Sequence, residues 1–209
     1  MVEKIKTKDR ILRTSLSLFN ERGLSQVTLR TIAKEMGISQ GNLNYHFKKR
    51  QDIIKALYLQ LVDRMDNIFH NLLAMEIGLP LVFQSNAAMI DAFLDFKFFM
   101  LDFVQIMREN RDIHQHYLQL QEVRRQQFEG IVLLLQKQGL VRQEEFEGEF
   151  SNLQKRMGIV GDFWISSSEV LDTDHKNQAL EYRNILSEFI YPYLTPKGKK
   201  EFLSIKADQ

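Results

Sequence analysis

Few side chains in this sequence are spaced for bond-making chemistry. His114 and His116 lie two residues apart, on opposing sides of a helix, which is wrong for a shared metal ion. His70 and His175 are isolated. Ser166-Ser167-Ser168 lacks the setting of a nucleophilic serine. Gly198-Lys199-Lys200 lacks the earlier glycine and the following hydroxyl residue of a phosphate-binding loop. The absence of cysteine excludes thiol nucleophiles, disulfides, zinc knuckles and iron–sulfur clusters. The expectation is therefore a protein with no catalytic residues, no metal and no cofactor. A different chemistry is concentrated elsewhere. Gln40, Asn42, Asn44, Tyr45 and His46 offer hydrogen bonds within seven residues, and Lys48, Lys49 and Arg50 follow at once. Amides can pair with base edges, and lysine and arginine meet phosphates, so the set suits nucleic acid.

The elements that must position these groups read as helices throughout. Apolar residues recur at spacings of three and four and sustained alternation is missing, so the fold class is all-α. Three short helices open the chain. The first spans about 8–22, capped by Thr7 and ended by Gly23, and the second starts at the cap Thr28 and stops at Gly37. The third, about 40–46, is capped by Ser39 and anchored in the core by Leu43 and Phe47. The turn Gly37-Ile38-Ser39 joins the last two, which is the pattern of a helix-turn-helix. Longer helices follow at about 51–74, 86–109, 111–138, 145–170 and 175–192. Gly78-Leu79-Pro80 breaks the chain after the first of these, and Asp172-Thr173-Asp174 caps the last. Thr195-Pro196 opens a final short helix, with Ser204 to Gln209 expected to fray.

Charge divides along the same line. Of 209 residues, 28 are basic and 27 acidic, which looks neutral. Residues 1–55 nevertheless carry twelve basic against five acidic side chains, a balance of +7, and the remainder is −6. A basic three-helix head is the electrostatic footprint of a DNA-binding module. The apolar stretch Ala87–Met107 is interrupted by Asp91, Asp95, Lys97 and Asp102, too many charges for a bilayer span. The N-terminus has no secretory signal, so a cytoplasmic protein is expected.

From Thr7 to Ile54 the sequence resembles the DNA-binding domain of the TetR/AcrR family of bacterial transcriptional regulators. The likeness rests on Ile11-Leu12, Leu18-Phe19-Asn20-Glu21-Arg22-Gly23, Thr28-Leu29-Arg30-Thr31-Ile32-Ala33, Met36 through Leu43, His46-Phe47 and Asp52-Ile53-Ile54. It departs at Asn44, where the family usually has tyrosine, and at Arg50, where lysine is usual. The first departure bears on which operator is read. The resemblance implies a head over residues 1–50 and a helical ligand-binding and dimerisation body over 51–209. It implies that Thr28, Tyr45, His46 and Arg50 hold phosphates, with Arg30, Gln40, Gly41, Asn42 and Asn44 near base edges. Arg30 suits guanine, and Gln40, Asn42 or Asn44 adenine.

For the body, the resemblance implies a small effector bound between helices and a homodimer on double-stranded, palindromic operator DNA. Seven phenylalanines fall between Phe69 and Phe103. The expected pocket comprises Phe69, Phe93, Phe96, Met100, Phe103, Tyr117, Phe128 and Trp164, for an apolar or cationic effector that Asp95 or Asp102 could face. The expected dimer contact comprises Phe163, Ile165, Leu186, Phe189, Ile190 and Tyr193. A repressor released by its effector is the leading expectation. A helical ligand-binding or interaction protein without specific DNA binding is the rival.

Overall fold

The computed structural model describes residues 6–171 and 178–207, and among these there are helices, turns and no strand. The helices are α1 (Thr7–Arg22), α2 (Leu29–Glu35), α3 (Gln40–His46), α4 (Arg50–Ala74), α5 (Leu79–Asp95), α6 (Lys97–Leu101), α7 (Phe103–Glu109), α8 (Arg111–Lys137), α9 (Glu149–Leu171), α10 (Gln178–Glu188) and α11 (Pro196–Ala207). The expected cap at Asp172–Asp174 lies outside the described residues. The chain forms two compact units. One takes residues 1–63 and 95–115, the other 64–94 and 116–209, so α4 begins in the first and ends in the second.

In the first unit, local chemistry sets the helix ends. The Thr28 hydroxyl accepts the Thr31 amide while the Thr28 amide donates to the Thr31 hydroxyl, a reciprocal cap that fixes the start of α2. Ser39 caps α3 by accepting the Asn42 amide at 3.1 Å. Between them Gly37 sits at φ 64°, in the left-handed region, and the Ile38 amide reaches back to the Ala33 carbonyl. At α1 the cap differs from expectation. Lys6 holds the cap position without a side-chain bond, and Thr7 is already helical. Ile11, Phe19, Ile32, Leu43, Ile53 and Leu57 are fully buried and join the three short helices to the start of α4.

The segment expected as one helix over 86–109 is three. Its start lies at Leu79, because Pro80 occupies the first turn, where its missing N–H costs nothing, and the Val82 amide already bonds the Gly78 carbonyl. It is interrupted at Phe96 and again at Asp102, whose backbones leave helical geometry. The first interruption is supplied with partners by Asn20 of α1. Its amide donates to the Asp95 carbonyl at 2.8 Å and accepts the Phe98 amide at 2.9 Å. At the second, Asp102 accepts the Leu24 amide. Phe19 packs on Phe98 and Tyr58 stacks on Phe99, which seats α6 in this unit's core.

The second unit is organised around Leu79, Phe83, Leu135, Leu153, Tyr193 and Phe202, from five different segments. Gly139 (φ 71°) ends α8, and the chain turns so that Val141 and Leu194 form one isolated bridge. α9 begins at Glu149 rather than 145, since 142–148 is held by side chains. Arg142 grips the Glu149 carboxylate with two nitrogens at 2.7 Å, and Glu144 caps the Phe150 amide. The Arg142 guanidinium, helped by the Glu145 amide, holds the Glu149 carboxyl down at about 2, so it stays ionised near neutrality. α11 extends through Ala207, one turn into the stretch expected to fray, because Phe202 is buried and Ile205 packs beside it.

Candidate nucleic-acid interface

α3 is a helix of seven residues with a divided surface. Leu43 is fully buried and Phe47 nearly so, which fixes α3 against the unit's core as the sequence leads one to expect. Turned away from them, Gln40, Gly41, Asn42, Asn44 and Tyr45 are all exposed, Tyr45 at 84%. The Tyr45 ring, with the amides beside it, is thus open to a partner approaching α3. The same ring meets His46 edge-on at 5.2 Å, which leaves His46 half-buried. Arg30 projects from the first turn of α2 and is likewise exposed, and Lys48 and Lys49 follow α3 in the open. Thr28 is exposed, and its hydroxyl also serves the α2 cap.

Arg50 is placed differently from its neighbours. Its Nη1 donates to the carbonyls of Leu24 at 2.7 Å and Val27 at 3.3 Å, so it ties the start of α4 to the loop before α2. Lys49 and Asp52 add a cap there, the Lys49 amide donating to the Asp52 carboxylate. Nothing in the spacing of basic residues distinguishes Arg50 from Lys48, and only the fold shows this internal duty.

Gly41 is informative for what it does not need. A Cβ built on it would meet only the Ser39 hydroxyl, at 3.9 Å. No neighbour inside the chain demands a glycine here, and glycine weakens a helix.

The residues expected in the body divide between the units. Phe96, Met100 and Phe103 are buried in the first unit, while Phe69, Phe93, Tyr117, Phe128 and Trp164 belong to the second. Phe69 and Phe128 pack at the edge of the second core, with the Arg124 guanidinium 4.4 Å above the Phe69 ring. Tyr117 donates its hydroxyl to Asp162 at 2.7 Å, and burial pushes the Asp162 carboxyl up from its ordinary value. Asp95 is exposed and Asp102 is bonded to Leu24. Among the expected dimer residues, Ile165, Leu186 and Tyr193 are buried within the chain, Phe189 and Ile190 are half-buried, and Phe163 is 42% exposed. Sequence reading passed over Ile159 and Val170, which are 63% and 83% exposed and share α9's spacing with Phe163.

Among the described residues, no helix is long and apolar enough to cross a membrane, and no group of three or more histidine, aspartate or glutamate side chains could hold a metal. A basic helix-turn-helix head, an exposed polar third helix and an all-helical body place the chain in the helix-turn-helix class. Family comparison makes this specific. Residues 11–57 match the family described as bacterial regulatory proteins, tetR family, and residues 60–202 match TetR, bacterial transcriptional repressor. The chain belongs to the TetR family.

Its relatives agree at lower resolution. It is 29% identical over 115 residues to the uncharacterised HTH-type transcriptional regulator YerO of Bacillus subtilis, covering 53% of this chain and 40% of that protein. The chain thus spans less than half the length of this curated relative. A TetR-family regulator from Marinobacter aquaeolei VT8 superposes with a TM-score of 0.85 at 24% identity over 98% of both chains. A regulator from Saccharomonospora viridis, solved in complex with choline, gives 0.70 at 21% identity over 90% of this chain and 97% of its own. At these identities the two structures show the fold.

Proposed function

We propose that this protein is a cytoplasmic, dimeric repressor that reads a palindromic operator with α3 and is released by a small effector bound in its body. The observation that carries the reading is the divided surface of α3: Leu43 and Phe47 buried, Gln40 through Tyr45 exposed, with basic residues on either side. In this reading Arg30 forks onto a guanine, and Gln40, Asn42 or Asn44 takes adenine. Tyr45, His46, Lys48 and Arg50 lie on phosphates, Arg50 sharing that role with its bonds to Leu24 and Val27. The Asn44 amide, in place of the family's tyrosine, puts a side chain able to pair with adenine at this position. The operator then differs from those of relatives with tyrosine there.

Dimerisation is supported by the face of α9. Ile159, Phe163 and Val170 are spaced by four and seven residues and are exposed in the single chain. A two-fold dimer would place its two α3 helices about 34 Å apart, one turn of DNA. Effector control needs one condition: the effector must bind the DNA-free arrangement more tightly than the DNA-bound one. The Saccharomonospora neighbour, solved in complex with choline, supports small-molecule binding by a protein of this fold.

The test is nuclease footprinting on the DNA flanking the protein's own gene. The expected result is two protected half-sites of inverted sequence with centres about 34 Å apart. Uniform or unprotected ladders would defeat the operator reading. Gly41 yields a second expectation. Gly41→Ala should leave thermal stability equal or raised by about 0.5–1 kcal/mol, since helix propensity improves and space is open. Operator affinity should fall by about 1 kcal/mol per half-site, because the methyl occupies the approach to the bases. A parallel loss of stability would show instead that the glycine serves the fold.

A further inference from the structure

The second unit holds buried donors that find no acceptor among the described residues. Trp164 on α9 is 2% exposed and its indole N–H has no partner; Ser168, one turn further on, is 3% exposed and its hydroxyl is also unpartnered. On α10 the ring of Tyr182 packs against Trp164 with centroids 4.3 Å apart, and the next residue, Arg183, has a buried Nε–H without an acceptor. All three donors thus lie within a turn of one contact between α9 and α10. A buried polar group is ordinarily hydrogen-bonded, because water's bonds are lost on burial and must be replaced. Three such groups on neighbouring turns of α9 and α10 leave room for an acceptor supplied from outside the described residues.

The charges nearby narrow the chemistry. The other end of the Arg183 guanidinium donates from Nη2 to Asp91 of α5, so its positive charge is already balanced. A ligand carboxylate would add a second negative charge beside Asp91 without a further cation. A ligand ammonium would face donors only. Asp162 offers no counter-ion to it: two residues before Trp164, it lies on another face of α9 and accepts the Tyr117 hydroxyl. Indole N–H and arginine Nε–H can only donate, and Ser168 can donate as well. Around them, Ile165 and Leu186 are buried and apolar.

We propose that Trp164, Ser168 and Arg183 form the polar end of a binding site for an uncharged, carbonyl-bearing small molecule with an apolar body, such as an ester, lactone or ketone. The assignment rests on the effector reading above, and it favours the apolar over the cationic expectation. The donors hold the carbonyl oxygen, while the apolar neighbours receive the remainder.

Trp164 is the single tryptophan of the chain, so its fluorescence reports directly on this site. The full-length protein would be titrated with three probes sharing one ring: methyl cyclohexanecarboxylate, cyclohexanecarboxylate and cyclohexyltrimethylammonium. The ester should shift Trp164 emission saturably and bind most tightly of the three. Ser168→Ala and Arg183→Lys should each weaken it about fivefold, as expected for one lost hydrogen bond, without lowering the melting temperature. Trp164→Phe, followed by calorimetry, should weaken the ester by a similar factor, with some loss of melting temperature because the smaller ring leaves space in the core. Tightest binding by the carboxylate or the ammonium would overturn the proposal while leaving effector control standing. No ester binding up to its solubility limit, or ester binding that all three variants leave unchanged, would also overturn it. Ester binding that obeys the variants but leaves operator affinity unaltered would uphold the site and defeat the effector reading instead.

Discussion

Arg30→Ala is expected to reduce sequence preference in DNA binding sharply while leaving the fold intact. The side chain is exposed in the first turn of α2, and its removal uncovers no core surface. A good bidentate arginine–guanine pair is worth about 1–3 kcal/mol of discrimination, and a two-fold dimer makes it twice. The loss on the operator should therefore fall between about 30-fold and about 10⁴-fold, with binding to random DNA much less affected. Tyr45→Ala should behave differently. A phosphate contact carries no sequence information, so operator and random DNA should weaken together. Electrophoretic mobility shift on both DNAs separates the two outcomes. If Arg30→Ala weakened both equally, Arg30 would belong to the phosphate contacts and base reading would rest on the α3 amides alone.

The second large effect concerns stability and lies far from α3 in sequence. Gly198 opens α11 against the turn after α8, and a Cβ built there would stand 2.2 Å from the Leu140 carbonyl oxygen and 3.2 Å from Leu194. That carbonyl cannot retreat freely, because it also accepts the Thr195 amide at 2.9 Å. Thr195 in turn caps α11 by accepting the Gly198 amide. Gly198→Ala must therefore break this joint or displace α11, which should cost about 3 kcal/mol and lower the melting temperature by roughly 6–12 °C. Gly130→Ala, in the middle of α8 with no atom within 4 Å of the added Cβ, is the matched control and should be neutral or stabilising. Equal melting temperatures for the two variants would show that the α8–α11 joint yields easily.

The contrast between these residues shows which parts of the molecule were legible in the sequence. The head could be read because its determinants are local. Thr28 and Ser39 cap helices whose first amides lie three residues away, Gly37 supplies a left-handed turn, and Leu43 and Phe47 share one face of a short helix. The interruptions at Phe96 and Asp102 could not be read, since neither glycine nor proline marks them. Their partners come from Asn20 and Leu24, more than seventy residues earlier. The same holds for Gly198, where the reason for glycine is a carbonyl 58 residues away, and for Arg50, whose bonds to Leu24 and Val27 look from sequence like one more basic side chain. Pro80 was legible but misread: the residue that ends one helix also opens the next. In the body, aromatic spacing announced burial without telling which residues share a unit. Trp164 was expected among the pocket residues for its aromatic ring, yet its N–H is shown to be buried and unpartnered only by the fold.

The charge division gives these parts a common purpose. A chain that is nearly neutral overall concentrates +7 in its first 55 residues and −6 in the rest, so long-range attraction to DNA acts on the head. That attraction is sequence-independent and falls with salt, whereas base contacts set the ratio between operator and random DNA. The most direct test is a mobility-shift comparison of the wild-type protein on the DNA flanking its own gene and on a shuffled sequence of equal composition, at two salt concentrations. The account predicts affinity for both that drops as salt rises, with the flanking DNA bound about 10³-fold or more tightly than the shuffled DNA at the same salt. Equal affinity for the two sequences, or binding indifferent to salt, would contradict it.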